Sequence, residues 1–391
     1  MTGATLTISN AQVFDGTTLK PDQTVHVEHD TIVKVDEGTV APPQGRVLDL
    51  RNEILSPGFV DLQVNGGGGV MFNDDPSVET LKIMADAHRR LGVVSFLPTM
   101  ITDTPEKTRA AINAVQDAMR IGVPGVAGLH LEGPHLSIAR KGAHDPHLIR
   151  VIETEDLNLL LSAAHDLGCL KVTLAPESVT EDQVAALVRA GVLVSLGHSD
   201  ATYDTCQRYF TAGATCATHL FNAMSQLGSR DPGLVGAAIG NSGVSAGLIA
   251  DLIHVHPETI RTAWNAKAGH EKMFLVSDAM AVAGTDQSSF MLGDRQIKRT
   301  SHRLTLADGT LAGADLDLLT AIRNLVQTVG VDLPEALASA TRVPAELIGL
   351  KHANGIEGRP LSEMITLSED LRAVRTFGDD TDNDWLREAS H

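Results

Sequence analysis

Apolar positions change their period along this chain, and the changes divide it. Through residue 53 polar and apolar residues alternate, as in Thr5-Leu-Thr-Ile-Ser-Asn, Thr24-Val-His-Val-Glu-His and Thr31-Ile-Val-Lys-Val-Asp. Period two predicts half-buried strands, with Asp15-Gly16 at a hairpin turn and His26 and His29 on solvated faces. From Ser56-Pro57-Gly58 onward, short apolar runs are followed by helical spacing. The runs are Phe59 to Asn65, Val93 to Thr99, Val123 to Glu132, Leu170 to Glu177, Val192 to Ser199, Ala214 to Phe221, Val244 to Asp251 and Met273 to Asp278. Between them, Ser77 to Leu91, Pro105 to Met119, Thr154 to Leu167, Glu181 to Ala190, Ala201 to Ala212 and Pro257 to Ala268 read as helices. Thr104 suits an N-cap before Pro105, and Gly92 a C-terminal stop.

Eight strands mostly separated by helices predict an α/β fold, a TIM-like (β/α)₈ barrel. A doubly wound open sheet is the alternative. It fits less well because polar, reactive residues end so many of the runs. Met291 to Leu306 reads as an inserted hairpin, and helices follow over Leu316 to Val329, Leu333 to Ala340 and from Arg342. The tail returns to β pattern at Met364-Ile-Thr-Leu and Ala373 to Phe377. The domains expected are residues 1–53 and 353–391, which together form a small β-sandwich from both chain ends, and residues 54–352, the barrel. The acidic run Asp379 to Asp384 reads as a frayed, solvated end.

Chemistry gathers where the runs stop. The third ends in Glu132 before Gly133-Pro134, the fifth in His198, the sixth in His219 and the eighth in Asp278. In a barrel, strand ends share one mouth, so residues far apart in sequence meet in space. Two imidazoles and a carboxylate with room for water describe a catalytic site for one divalent cation, Zn²⁺ or Fe²⁺. Asp278 suits a general base on that water, although a further ligand or a helix cap is also open to it. Gln63 and Asn65 occupy the end of the first strand. Amides are poor ligands beside imidazole, so a second cation there is disfavoured. Lys171 sits too early in its strand to bridge two metals. The run Gly66 to Gly69 follows a strand and offers a weak phosphate-cradle reading, without the GxGxxG pattern that would support it.

Charge and composition narrow the partners. The 391 residues carry 31 Lys+Arg against 49 Asp+Glu, a net charge of −18, which argues against nucleic acid. No apolar run approaches a membrane span, and the first residues lack the basic and apolar regions of a signal peptide, so a cytoplasmic protein is expected. The three cysteines form no CxxC pair, which suits a reducing compartment; Cys216 reads as a packed thiol.

The motifs Pro57-Gly-Phe-Val-Asp-Leu-Gln-Val-Asn-Gly, Leu129-His-Leu-Glu-Gly-Pro, Lys141-Gly-Ala-His, Leu196-Gly-His-Ser, Thr218-His-Leu-Phe-Asn-Ala-Met and Val276-Ser-Asp-Ala extend over nearly the whole chain. Together the chain resembles the N-acetylglucosamine-6-phosphate deacetylases of the amidohydrolase superfamily. The resemblance implies hydrolysis of the N-acetyl group of an amino-sugar 6-phosphate, in amino-sugar catabolism and cell-wall recycling, by a homodimer. It implies that Glu132, His198 and His219 bind the metal and that Asp278 is the acid/base. It also implies that Ala143, His144, Asn222 and Ala223 contact the sugar and that Leu311, Ala312 and Gly313 close over it. Arg230 and His254 would bind the phosphate, partly across the dimer interface; His256 and His270 match no role. Two rivals keep parts of this reading: a cyclic-amide hydrolase or deaminase with a neutral substrate, and a sugar-phosphate sensor without turnover.

Overall fold

The computed structural model describes residues 5–38, 45–269, 272–350 and 355–377. His270 and the acidic run from Asp379 lie outside these residues.

Eight parallel strands form the barrel wall in sequential order. They are Phe59–Val64, Val93–Ile101, Leu129–Glu132, Leu170–Leu174, Leu193–Leu196, Cys216–Ala217, Ser245–Leu248 and Met273–Leu275. No continuous ladder joins the eighth strand to the first; a single bridge, Val64 to Ala279, spans the seam. Below that bridge Asp61 does the same work with its side chain. Its carboxylate accepts the Ser277 N–H at 3.2 and 3.3 Å and the Gln63 N–H at 3.1 Å. Asp61 is fully buried. Burial pushes its carboxyl up to about 7, against the pull of those hydrogen bonds.

The helices pack as the apolar spacing predicts. Val78–Arg90 buries Leu81, Met84, Ala85 and Ala87. Its Ser77 side chain accepts from Thr80 N, the expected arrangement for an N-cap. Pro105–Arg120 begins behind Thr104, whose hydroxyl accepts from Lys107 N. His256, without a role in the sequence reading, caps Pro257–Ala266 by accepting from Glu258 N. One helix, Gly233–Gly240, escapes the pattern. It is bounded by glycines and buried on nearly all sides, so it lacks the polar face that marks a helix in sequence.

The chain ends meet in a seven-stranded sheet. Thr5–Phe14 pairs with Leu19–Glu28, which pairs with Thr31–Glu37; Arg46–Asp49 and Ile54–Pro57 both join Thr5–Phe14 on its other side, and Ile54–Pro57 carries Met364–Leu367, then Val374–Thr376. Ile8, Val25, Ile32, Leu55, Met364 and Phe377 belong to its separate apolar core. His26 lies 3.2 Å from Asp36, and His29 occupies an exposed turn with φ +48°.

After the eighth strand, Ser289–Leu292, Arg295–Thr300 and Arg303–Thr305 make a three-stranded antiparallel sheet, one strand more than the hairpin expected. Phe290, Leu292, Ile297 and Leu304 pack with Met71, Met280 and Ala312, which fastens this insertion over the barrel mouth. Among the described residues no helix is long and apolar enough to cross a membrane.

Candidate metal centre and active site

The turn that ends each contributing strand aims its side chain inward. His198, His219 and Asp278 have φ of +48°, +29° and +49°. Left-handed backbone is unfavourable for such residues and gathers at functional sites, where the surrounding fold imposes it. Glu132 reaches the mouth differently. The next residue, Gly133, has φ +85°, and a Cβ there would lie 2.2 Å from Thr102 Oγ1. Only glycine lets the third strand end beside Thr102 and leave Glu132 at the rim.

Glu132, His198 and His219 are all buried, and their ligand atoms lie within 4.8 Å of one another. Glu132 Oε1 is 3.0 Å from His219 Nε2 and 3.3 Å from His198 Nε2, and the two Nε2 atoms are 3.1 Å apart. His198 Nδ1 faces the Arg140 carbonyl at 2.8 Å. A carbonyl can only accept, so Nδ1 carries the proton and Nε2 turns a lone pair to the centre. Three lone-pair donors converging on one point in a buried setting call for positive charge. The protein's own electrostatics answer that call. Burial would lower the His219 pKa, but the Glu132 carboxylate raises it; burial would raise Glu132, yet bonding to His198 and His219 holds it well below its usual range. One divalent cation at the shared point satisfies all three groups, so the donor set fits a metal.

Gln63 and Asn65 serve the carboxylates. Gln63 Nε2 donates to Glu132 Oε1 and Oε2 at 3.2 and 3.3 Å and to Asp278 Oδ1 at 3.2 Å. Asn65 Nδ2 donates to Asp278 Oδ1 at 2.7 Å. Burial and the nearby charge of Glu132 raise the Asp278 carboxyl above its usual range, the direction a general base requires.

His144 is a further polar group of the site. Thr102 N donates to its Nδ1 at 3.3 Å, and the Thr102 hydroxyl lies 2.8 Å from the same atom. Nδ1 therefore accepts, which leaves the proton on Nε2, 4.0 Å from Glu132 Oε2. Burial and the neighbouring His198 push the His144 pKa down to about 3, so it is a neutral N–H donor at working pH.

Most of these groups line one cavity of about 260 Å³, with Gln63 and Thr102 behind its wall. Asn65, Glu132, His198, His219 and Asp278 form its floor; Ala143, His144, Asn222, Ala223, His254, Leu311 and Gly313 also line it. His254 Nδ1 is held by Asp251 at 2.6 Å. Gly313 (φ +63°) passes so close that a Cβ would meet the Asp278 carbonyl at 2.9 Å. Ala312 does not face the cavity; it is buried in the core of the inserted sheet. Arg230 is exposed and outside the cavity of a single chain. The glycine run is no phosphate cradle. The amides of Asn65, Gly66, Gly68 and Gly69 donate to the carbonyls of Ala279, Ala283 and Ala281, which leaves them nothing to offer an anion.

Thr102, Ile101, Met280 and Leu292 reach the site without having been marked in sequence. Thr102 was obscured because the apolar run reads as ending at Thr99; the strand continues to Ile101, which lies opposite Glu132.

The amidohydrolase family model matches residues 54–357. The N-acetylgalactosamine-6-phosphate deacetylase of Shewanella sp. (strain ANA-3) is 44% identical over 329 residues, 84% of this chain and 82% of that one. The N-acetylglucosamine-6-phosphate deacetylase of Haemophilus influenzae is 37% identical over 335 residues, 85% and 87% of the two chains. The solved N-acetylglucosamine-6-phosphate deacetylase of Pasteurella multocida superposes with a TM-score of 0.89 at 34% identity, covering 96% of this chain and 98% of its own. That of Mycobacterium smegmatis, solved with N-acetyl-D-glucosamine-6-phosphate, gives 0.87 at 32% identity over 95% and 97%. A hydrolase barrel with a buried Glu-His-His centre, matched at this level along most of its length, this chain belongs to the amidohydrolase family, among its N-acetylglucosamine- and N-acetylgalactosamine-6-phosphate deacetylases.

Proposed function

We propose that this protein hydrolyses the acetamido group of N-acetylglucosamine 6-phosphate, giving glucosamine 6-phosphate and acetate. The observation that carries the reading is the convergence of Glu132, His198 and His219 within one cavity that also holds the Asp278 carboxylate and the His144 N–H.

Glu132, His198 and His219 would hold one divalent ion, Zn²⁺ or Fe²⁺, which supplies Lewis acidity and makes water a better nucleophile at neutral pH. Asp278, oriented by Asn65 and Gln63, takes the proton of the attacking water and returns it to the amine as the C–N bond breaks. His144 directs its Nε2–H at the acetyl oxygen, where negative charge develops. Asn222, Ala223 and Ala143 border the sugar, and the segment Leu311, Ala312 and Gly313 closes one side, with Ala312 acting through packing. His254 contacts the phosphate, and Arg230 reaches it from a second copy of the chain in a homodimer. A guanidinium fork is suited to that anion. The net negative charge and free cysteines suit a cytoplasmic phosphosugar enzyme.

N-acetylgalactosamine 6-phosphate is the second reading, favoured by the 44% identity to a deacetylase of that name. The two sugars differ only at the 4-hydroxyl. Acetate release from each, compared as kcat/KM, decides: a higher value for the glucosamine epimer supports the first reading, and the reverse supports the second.

A further inference from the structure

Metal-binding imidazoles normally fix their orientation by donating the second ring N–H to a carbonyl or carboxylate. His198 does so through Arg140. His219 does not: its Nδ1 is buried and has no hydrogen-bond partner among the described residues. Something else must hold a residue whose backbone sits at φ +29°.

The residue before it supplies the hold. Thr218 Oγ1 lies 2.7 Å from Thr173 Oγ1 and 2.6 Å from Ser195 Oγ. Its N–H donates to the Leu196 carbonyl at 2.9 Å. The hydroxyl chain continues through His130, 2.7 Å from Thr173 and 3.1 Å from Thr99, and all five side chains are buried. The chain thus links the second, third, fourth, fifth and sixth barrel strands in a layer just beneath the ligands. Barrel interiors are ordinarily filled by bulky apolar side chains. A hydroxyl between two others can donate once and accept once, so each member fixes the rotamer of the next.

We propose that Thr218 is the positioning residue for His219, and that the Thr173–Thr218–Ser195 hydroxyl chain sets how tightly the Glu132-His198-His219 centre retains its metal. The inference rests on the metal reading of that centre. Thr218→Val keeps the shape and removes the hydroxyl. It should weaken Zn²⁺ binding by about 10- to 100-fold, the scale of losses from outer partners of metal ligands. The measurement is equilibrium competition of the purified full chain against a chelator. KM for the phosphosugar at saturating Zn²⁺ should stay near the wild-type value, and Thr218→Ser should restore most of the affinity. Ser195→Ala, which removes one neighbour of Thr218, should move Zn²⁺ affinity in the same direction by less, and it serves if the valine protein does not fold. Wild-type affinity in both the valine and alanine proteins, or a serine protein as weak as the valine one, would overturn the proposal. A wild-type chain that binds no Zn²⁺ or Fe²⁺ would instead overturn the metal reading on which it stands.

Discussion

Asn65 Nδ2 donates to Asp278 Oδ1 at 2.7 Å, binding the end of the first barrel strand to the end of the eighth. With Gln63 on the same oxygen, the amide pair leaves Oδ2 as the oxygen of Asp278 without a donor from the first strand. That arrangement would orient the carboxylate proposed as the base without neutralising it. Asp278→Asn should retain metal, because the three ligands are untouched, while kcat falls by about 10²- to 10⁴-fold. Metal content and steady-state rates on the same preparation check this; a variant turning over at near wild-type kcat would remove Asp278 from the base role.

His144 is expected to act as a neutral donor. With its pKa at about 3, the ring stays neutral, with its one proton on Nε2, throughout the range from pH 5 to 9. His144→Ala should therefore lower kcat by about 10²- to 10³-fold, as loss of one oxyanion donor does, without displacing the acid limb of the pH–rate profile. A shift of that limb in the variant would mean that His144 itself titrates.

Asp61 links pH to stability. Its carboxyl sits at about 7 in the fold against 3.8 as a free group, so the native state holds a proton that the unfolded chain has released. The associated stability is complete below pH 3.8 and is lost as pH rises through about 7, on the order of 4 kcal/mol at most. Asp61→Asn cannot titrate, so it should gain on the wild type between pH 5 and 8. Urea unfolding of both proteins at several pH values gives the difference directly; a constant difference would show that Asp61 is already ionised throughout.

Arg230 separates phosphosugar from neutral-substrate readings. Arg230→Ala should raise KM for the phosphorylated substrate with little change in kcat, since the side chain is remote from the reacting amide. Equal KM values in variant and wild type would leave the phosphate without this partner.

Much of this site was legible because strand-end residues carry it. Glu132, His198, His219 and Asp278 each close an apolar run, and in a barrel that position alone brings them to one mouth. What sequence concealed was set by backbone and packing. Thr102 lay beyond the expected end of its strand at Thr99, the helix Gly233–Gly240 had no polar face, and the left-handed positions His198, His219 and Asp278 are not glycines that would announce them. The glycine run misled in the opposite direction, because its amides are occupied by neighbouring carbonyls. Gln63 and Asn65 were visible as the wrong residues for a second metal, but their bonds to Glu132 and Asp278 belong to the fold alone.

The most direct test is acetate release from N-acetylglucosamine 6-phosphate beside its unphosphorylated form, each with and without a chelator, in the wild type and in Glu132→Gln. Release should be rapid from the phosphorylated sugar only, abolished by chelator and restored by added divalent metal, with the Glu132→Gln protein losing both metal and rate. Turnover that survives complete metal removal, or a Glu132→Gln protein that holds stoichiometric metal, would contradict the metal-dependent mechanism.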